Sequence, residues 1–198
     1  REIKSSDLPV WYEAVSGLSN PTLRDYLTLL LFTGLRKQEA LKLEWDHVDL
    51  SNKTLTITDT KNRIPLALPL SDFTFELLKK RNDSRDTDTK FVFPGQGKTS
   101  HLVEPREAVK KVRKLSNIEF SLHDLRRTFI TNAESLDIPH YALKQLVNHK
   151  QGNDVTAGYI VSDLERLRIP MQKVTDKLSS MIGIRKTGKI VELTKRAQ

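Results

Sequence analysis

Leu55-Thr56-Ile57-Thr58-Asp59-Thr60-Lys61-Asn62-Arg63-Ile64-Pro65-Leu66-Ala67-Leu68-Pro69-Leu70 is the stretch on which the fold class turns. Leu55 and Ile57, and then Ile64, Leu66, Leu68 and Leu70, put apolar side chains at every second position. That is the period of a strand with one buried face. Lys61-Asn62 separates the two runs, so the stretch predicts a β-hairpin with its turn near residues 59–63.

On either side the period lengthens to that of a helix. Upstream, Asp7 is a candidate cap for a helix over 8–17, because its carboxylate can accept from first-turn amides. Asn20-Pro21 opens a second helix, with Leu23, Leu27, Leu30 and Leu31 on its apolar face and Gly34 at its end. Residues 37–43 predict a short third helix. Downstream, 72–81, 104–116, 123–136, 139–147 and 162–182 have helical spacing. Residues 82–90 and 94–101 read as polar loops, and Phe91-Val92-Phe93 before Pro94-Gly95 as a third short strand. The expectation is an α+β chain, mostly helical, with one small antiparallel sheet. A single domain would cover 1–182 and a basic tail 183–198.

Composition narrows the function. The chain of 198 residues has no cysteine, which excludes a disulfide framework, a thiolate zinc site and a cysteine nucleophile. No apolar run approaches the ~18 residues of a membrane span; the best is Leu29-Leu30-Leu31-Phe32. Lys and Arg number 33 against 25 Asp and Glu, a net charge of +8. The surplus is uneven: residues 1–50 hold 6 basic and 8 acidic residues, the remainder 27 and 17. Excess positive charge beyond residue 50 suits a polyanionic partner. The first residue is Arg1 rather than Met, which suggests a fragment of a longer protein.

Four local constellations carry chemistry. In Thr33-Gly34-Leu35-Arg36-Lys37-Gln38-Glu39, Arg36 opens a helix and Glu39 follows three residues on, where it can hold the guanidinium. In His123-Asp124-Leu125-Arg126, a spacing of three puts an imidazole and a guanidinium on one helix face, with Ser121 as a candidate cap. His149 is followed ten residues later by Tyr159, across a polar, glycine-containing segment. Lys61 sits in the hairpin turn. Taken singly, each also reads as ordinary surface or packing chemistry: an exposed ion pair, a polar helix face, a half-buried ring, a solvated lysine. Asp83, Asp86 and Asp88 fall in a polar loop and read as solvated, so no metal site is expected.

The order of the four, together with the stretches Thr33 to Leu41, His123-Asp124-Leu125-Arg126-Arg127-Thr128-Phe129 and Asp154-Val155-Thr156-Ala157-Gly158-Tyr159, resembles the tyrosine recombinases of the phage integrase family, over roughly residues 5–180. The resemblance implies the catalytic-domain fold of that family and site-specific DNA recombination through a covalent 3′-phosphotyrosine, as in phage or prophage integration. It implies Tyr159 as nucleophile, Arg36, Arg126 and His149 as donors to the phosphate oxygens, His123 as a base, Lys61 as the acid for the leaving 5′-oxygen, and Glu39 as the group orienting Arg36. No metal or other cofactor is implied.

The implied partners are double-stranded DNA attachment sites and other protomers in a synaptic tetramer, in the bacterial cytoplasm or nucleoid, with no membrane role. Lys110, Arg113 and Lys114 on one helix face, and Arg127 and Thr128 beside the His123 helix, would touch backbone phosphates. An amino-terminal DNA-clamping domain would precede Arg1. The tail, with Ile184 and Ile190-Val191-Glu192-Leu193, reads either as a strand at 189–193 docking on a neighbouring protomer or as disordered. Two departures from the family pattern stand out: Val147-Asn148-His149 where Leu-Gly-His is commoner, and a His-to-Tyr interval longer by about one residue, with Lys150-Gln151-Gly152-Asn153 as the insertion. Tyr12, Tyr26 and Tyr141 are poorer nucleophile candidates. The competing readings are a type IB topoisomerase and a catalytically silent DNA-binding remnant.

Overall fold

The computed structural model describes residues 1–60, 65–86, 88–95, 99–148 and 164–184. Among these residues the chain forms eight α-helices and a three-stranded antiparallel sheet, the class read from the sequence. No helix among them is long and apolar enough to cross a membrane.

The centre of the core is α2, Pro21–Thr33. Asn20 caps it, its side-chain oxygen accepting from the amides of Thr22 and Leu23 at 2.9 and 3.3 Å. Pro21 occupies a first-turn position whose N–H would go unused. From Tyr26 to Phe32 the helix is buried all round, with Tyr26, Leu27 and the run Leu29 to Phe32 fully enclosed. A helix apolar on every side must be surrounded. It is packed by α1 (Leu8–Ser16), α3 (Lys37–Leu41), α4 (Asp72–Asp83), α6 (Leu122–Glu134) and α8 (Leu164–Met181). Around this centre α5 (Arg106–Ser116) lies on α1, and α7 (His140–Leu146) on α6 and α8.

The sheet runs in the order β1 (Val48–Asp49), β2 (Thr54–Ile57), β3 (Leu66–Pro69). Leu55 pairs with Leu68 and Ile57 with Leu66, so the alternating leucines and isoleucine share one buried face. Pro69 has no N–H to donate and lies on β3, an edge strand, where that costs least. The β1–β2 turn is closed by Asp49, whose carboxylate accepts from the Asn52 backbone and side chain at 2.8 and 2.7 Å. From α8, Arg168 donates to the carbonyls of Asn52 and Lys53, tying the sheet to that helix.

Four local expectations are corrected. The third strand is Val48–Asp49, not Phe91-Val92-Phe93. Phe91 makes only an isolated bridge with Glu44, while Val92 and Phe93 are both buried, the latter edge-on to Tyr26. Consecutive buried residues fill the core from a loop and need no strand. Asp7 makes no side-chain cap bond: its own backbone is already helical (φ −92°, ψ −19°), and its carboxylate accepts from the Ser6 hydroxyl at 3.1 Å. The third helix stops at Leu41, and a 3₁₀ turn over Trp45–His47 follows. Helix α4 continues to Asp83, past the expected end at residue 81, and the Asp83 carboxylate stays exposed, 3.1 Å from Lys79. The hairpin turn residues 61–64 and the tail from 185 lie outside the described residues.

Candidate active site

The site is assembled where α2 ends. Gly34 takes a left-handed conformation (φ +64°) and its amide closes the helix on Leu30. A Cβ at Gly34 would lie 2.5 Å from Cδ1 of Phe129 on α6. The absent side chain thus lets the end of α2 meet α6 at close range. Two residues on, Arg36 leads into α3. Its backbone N–H donates to Glu39 Oε2 and its Nη1 to Oε1, both at 2.8 Å. The Glu39 side chain is only 3% exposed, while that of Arg36 is 26% exposed. One carboxylate therefore fixes both the main chain and the guanidinium of Arg36, as the i,i+3 spacing suggests.

Helix α6 supplies the opposite wall. Ser121 and Asp124 form a reciprocal cap: the hydroxyl accepts from the Asp124 amide, and the Asp124 carboxylate accepts from the Ser121 amide at 2.8 Å. His123, in the first turn, is exposed. Burial, then the charges of Arg127 and Arg126, hold its imidazole below the ordinary 6.5 despite Asp124. It is neutral at neutral pH and able to accept a proton. Arg126, one turn further, is only 4% exposed. Its Nη1 donates to the carbonyl of Gly34 and its Nη2 to that of Val147. Burial first, and then the charge of Arg36, bring its pKa down to about 10, so it remains a cation at neutral pH.

The two arginines also meet at the end of α7. Arg36 Nη2 donates to the carbonyl of Asn148 at 3.3 Å, next to the Val147 carbonyl that Arg126 holds. Asn148 is left-handed (φ +46°), which accounts for one departure of the sequence. The position after the helix cap calls for glycine, and asparagine is the residue that next best tolerates it.

Leu35, Arg36, Lys37, Glu39, Leu122, His123 and Arg126 line one open cleft, together with Asp59 and Thr60, which follow β2. The structure thus brings Arg36, Glu39, His123 and Arg126 together, with Asp59 and Thr60 lining the same cleft. Lys61, His149 and Tyr159 lie outside the described residues. The other three tyrosines are elsewhere. Tyr26 is fully buried with its hydroxyl donating to the Lys37 carbonyl, and burial raises its pKa far above the ordinary 10. Tyr12, on α1, is raised too, mainly by burial, and Tyr141 packs beneath the Arg166 guanidinium.

The residues assigned to phosphate contact divide. Arg127 is exposed, with Asp124 3.9 Å away, and Lys110 and Lys114 are exposed on α5, Lys110 pairing with Glu107 at 2.8 Å. Arg113 instead donates from Nε and Nη2 to the Phe120 carbonyl, bracing the α5–α6 connection. Thr128 is fully buried, accepting from the Ile3 amide and donating to the Asp124 carbonyl, so it has no face for DNA. Its i−4 bond to the backbone satisfies the hydroxyl inside the core, a role that a polar residue type conceals. The parts that sequence reasoning missed are backbone groups: the carbonyls of Gly34, Val147 and Asn148. A glycine and an asparagine just past helix ends were their only signal.

The comparisons with known proteins agree with this architecture. The prophage integrase IntF of Escherichia coli (strain K12) is 31% identical over 186 residues, covering 92% of this chain but 40% of the relative's length. The chain therefore spans less than half of that protein. Among solved structures, the integrase from mycobacterium phage Brujita superposes with a TM-score of 0.67 at 19% identity, over 92% of this chain and 63% of the other. XerH site-specific recombinase bound to its difH substrate gives 0.62 at 19% identity, over 81% of this chain and 52% of the other. These likenesses extend to the fold. The phage integrase family profile matches residues 9–166, from α1 into the start of α8, and the chain belongs to the phage integrase family.

Proposed function

We propose that the chain is the catalytic part of a site-specific tyrosine recombinase that breaks and rejoins DNA, in the manner of a prophage integrase. The observation that carries this reading is the convergence of Arg36 and Arg126 on one cleft beside a neutral His123. A phosphodiester has one negative charge, and its pentacoordinate transition state gathers more on the non-bridging oxygens. Two guanidinium forks, fixed in advance, match that charge. Glu39 holds one fork in place, and backbone carbonyls hold the other.

In the proposed reaction the Tyr159 hydroxyl oxygen attacks phosphorus while His123 takes the phenolic proton. The bond to the 5′-oxygen breaks, and Lys61 gives that oxygen a proton. The products are a 3′-phosphotyrosine and a free 5′-hydroxyl, and the reverse attack rejoins the strand. His149 adds a donor to the phosphate. The arginines supply the charge that divalent ions supply in two-metal enzymes, so the reaction is proposed to run without metal. Lys110, Lys114 and Arg127 are proposed as contacts to DNA phosphates. The partners are two duplex attachment sites and further copies of the protein in a synaptic tetramer. The tail from 183 is proposed as a segment that docks on a neighbouring copy, and a DNA-clamping domain as a unit preceding the catalytic one.

The test is incubation of the protein with nicked duplexes from the DNA flanking its gene, in saturating EDTA. A covalent protein–DNA adduct and strand exchange between two sites are expected. Relaxation of supercoils without exchange would make it a topoisomerase, and activity restored only by Mg²⁺ would refute the metal-free step.

A further inference from the structure

We infer that Asn148 is a positioning residue of the site: its left-handed backbone, rather than its side chain, turns its carbonyl onto Arg36 and sets the spacing of the two guanidinium groups. The inference rests on the reading of the cleft as a DNA-cleaving site.

The last carbonyls of a helix have no partners within it and must find donors elsewhere. At the end of α7 two adjacent carbonyls find the two arginines of the cleft. Val147 receives Arg126, and Asn148 receives Arg36 at 3.3 Å. Cations at a helix C-terminus are favourably placed for the local dipole as well. The rotation φ of a residue places its own carbonyl relative to the preceding peptide. At Asn148 it is +46° rather than the negative value of continuing helix, and the carbonyl swings accordingly.

The bracket has an electrostatic purpose. Arg36 and Arg126 are near enough for the charge of the first to depress the pKa of the second, so they repel. Glu39 on one side and the carbonyls of Gly34, Val147 and Asn148 on the other offset that repulsion. The two forks can then stand ready before a phosphate arrives, which is how preorganised charge accelerates a reaction. Asn148 is fit for this because its short polar side chain tolerates the left-handed region, where alanine is strained and glycine is free.

The experiment compares wild type, Asn148→Gly and Asn148→Ala, expressed from the complete gene. The first readout is single-turnover adduct formation on the nicked flanking duplex at saturating DNA. Asn148→Gly should react within about twofold of wild type. Asn148→Ala should be slower by about 10- to 100-fold, the scale of a displaced positioning group, with half-saturating DNA concentration unchanged. A glycine variant as slow as the alanine one would assign the effect to the side chain and overturn the inference, as would an alanine variant as fast as wild type. The second readout needs no DNA: the ¹⁵N order parameter of Arg36 Nε in the free proteins. It should stay high in wild type and Asn148→Gly and fall in Asn148→Ala. Equal values in all three would overturn the inference. If wild type forms no adduct, the functional reading fails, and this second readout still decides the positioning role.

Discussion

Arg126 donates to the carbonyl of Gly34, two residues before Arg36, so one short piece of backbone carries the first arginine and anchors the second. The junction depends on Gly34 being left-handed and lacking a Cβ. Gly34→Ala should therefore unfold more easily by about 2 kcal/mol or more, the combined scale of a left-handed alanine and an overpacked contact with Phe129. Arg126→Ala should cost about 3 kcal/mol, since it leaves a cavity and deprives the Gly34 and Val147 carbonyls of their donors. Arg126 thus combines support of the fold with its proposed work on phosphate. Urea melts of the purified variants measure both, and a melt of Arg126→Ala coincident with wild type would refute the supporting role.

The Arg36–Glu39 pair should show its coupling in a double-mutant cycle. Glu39 is buried and Arg36 only partly so. Arg36→Ala leaves a buried carboxylate without its cation, whereas Arg36→Ala with Glu39→Gln does not. The double variant should therefore be more stable than the single one by about 1 kcal/mol, a modest value because Arg36 is partly solvated. Glu39→Gln alone should slow DNA cleavage with little effect on DNA affinity, because the fork is loosened rather than removed.

His123 should titrate below 6.5, with burial as the first cause and the Arg127 charge as the second. Histidine Cε1 shifts followed by NMR give the midpoint, and Arg127→Gln should raise it. The sign for stability follows from the lowered value. The unfolded chain takes up the proton first, so stability contributed by His123 is present above 6.5 and is lost as pH falls from there through the folded midpoint. A midpoint at or above 6.5 in the folded protein, or no response to Arg127→Gln, would contradict the assigned electrostatics.

Patterned elements were legible in the sequence because they follow from side-chain period and end signals. The leucines and isoleucine of β2 and β3, the Asn20-Pro21 start of α2 and the Ser121 cap all act locally. Strand β1 was not legible: two residues, Val48 and Asp49, have no period, and only pairing with Leu55 and Thr54 defines them. Phe91 to Phe93 misled because apolar side chains do not reveal whether a sheet or a core receives them. In the site, Arg36, Glu39, His123 and Arg126 were legible as residue types in order. Thr128 was misread because a polar side chain can be spent on backbone inside the core, that of Ile3 and Asp124 here. The carbonyls of Gly34, Val147 and Asn148 carry no residue identity and enter only through tertiary structure.

The proposed acid, Lys61, can be isolated by chemistry. A general acid matters only while the leaving group is poor. Replacing the bridging 5′-oxygen by sulfur creates a thiolate leaving group of far lower pKa, which departs unprotonated. Lys61→Ala should cleave the ordinary site about 10²- to 10⁴-fold more slowly than wild type, yet approach wild type on the sulfur-bridged site. Arg36→Ala should stay slow on both, because its non-bridging oxygens are unchanged. Rescue of both variants, or of neither, would remove Lys61 from the role.

Covalent catalysis by Tyr159 is decided by the Tyr159→Phe variant. Wild type mixed with a nicked attachment-site duplex is predicted to yield a denaturation-resistant protein–DNA adduct. The Phe variant, lacking one oxygen, should bind the duplex with unchanged affinity and yield none. An adduct formed by Tyr159→Phe would rule out Tyr159 as the nucleophile and assign the attack to another residue.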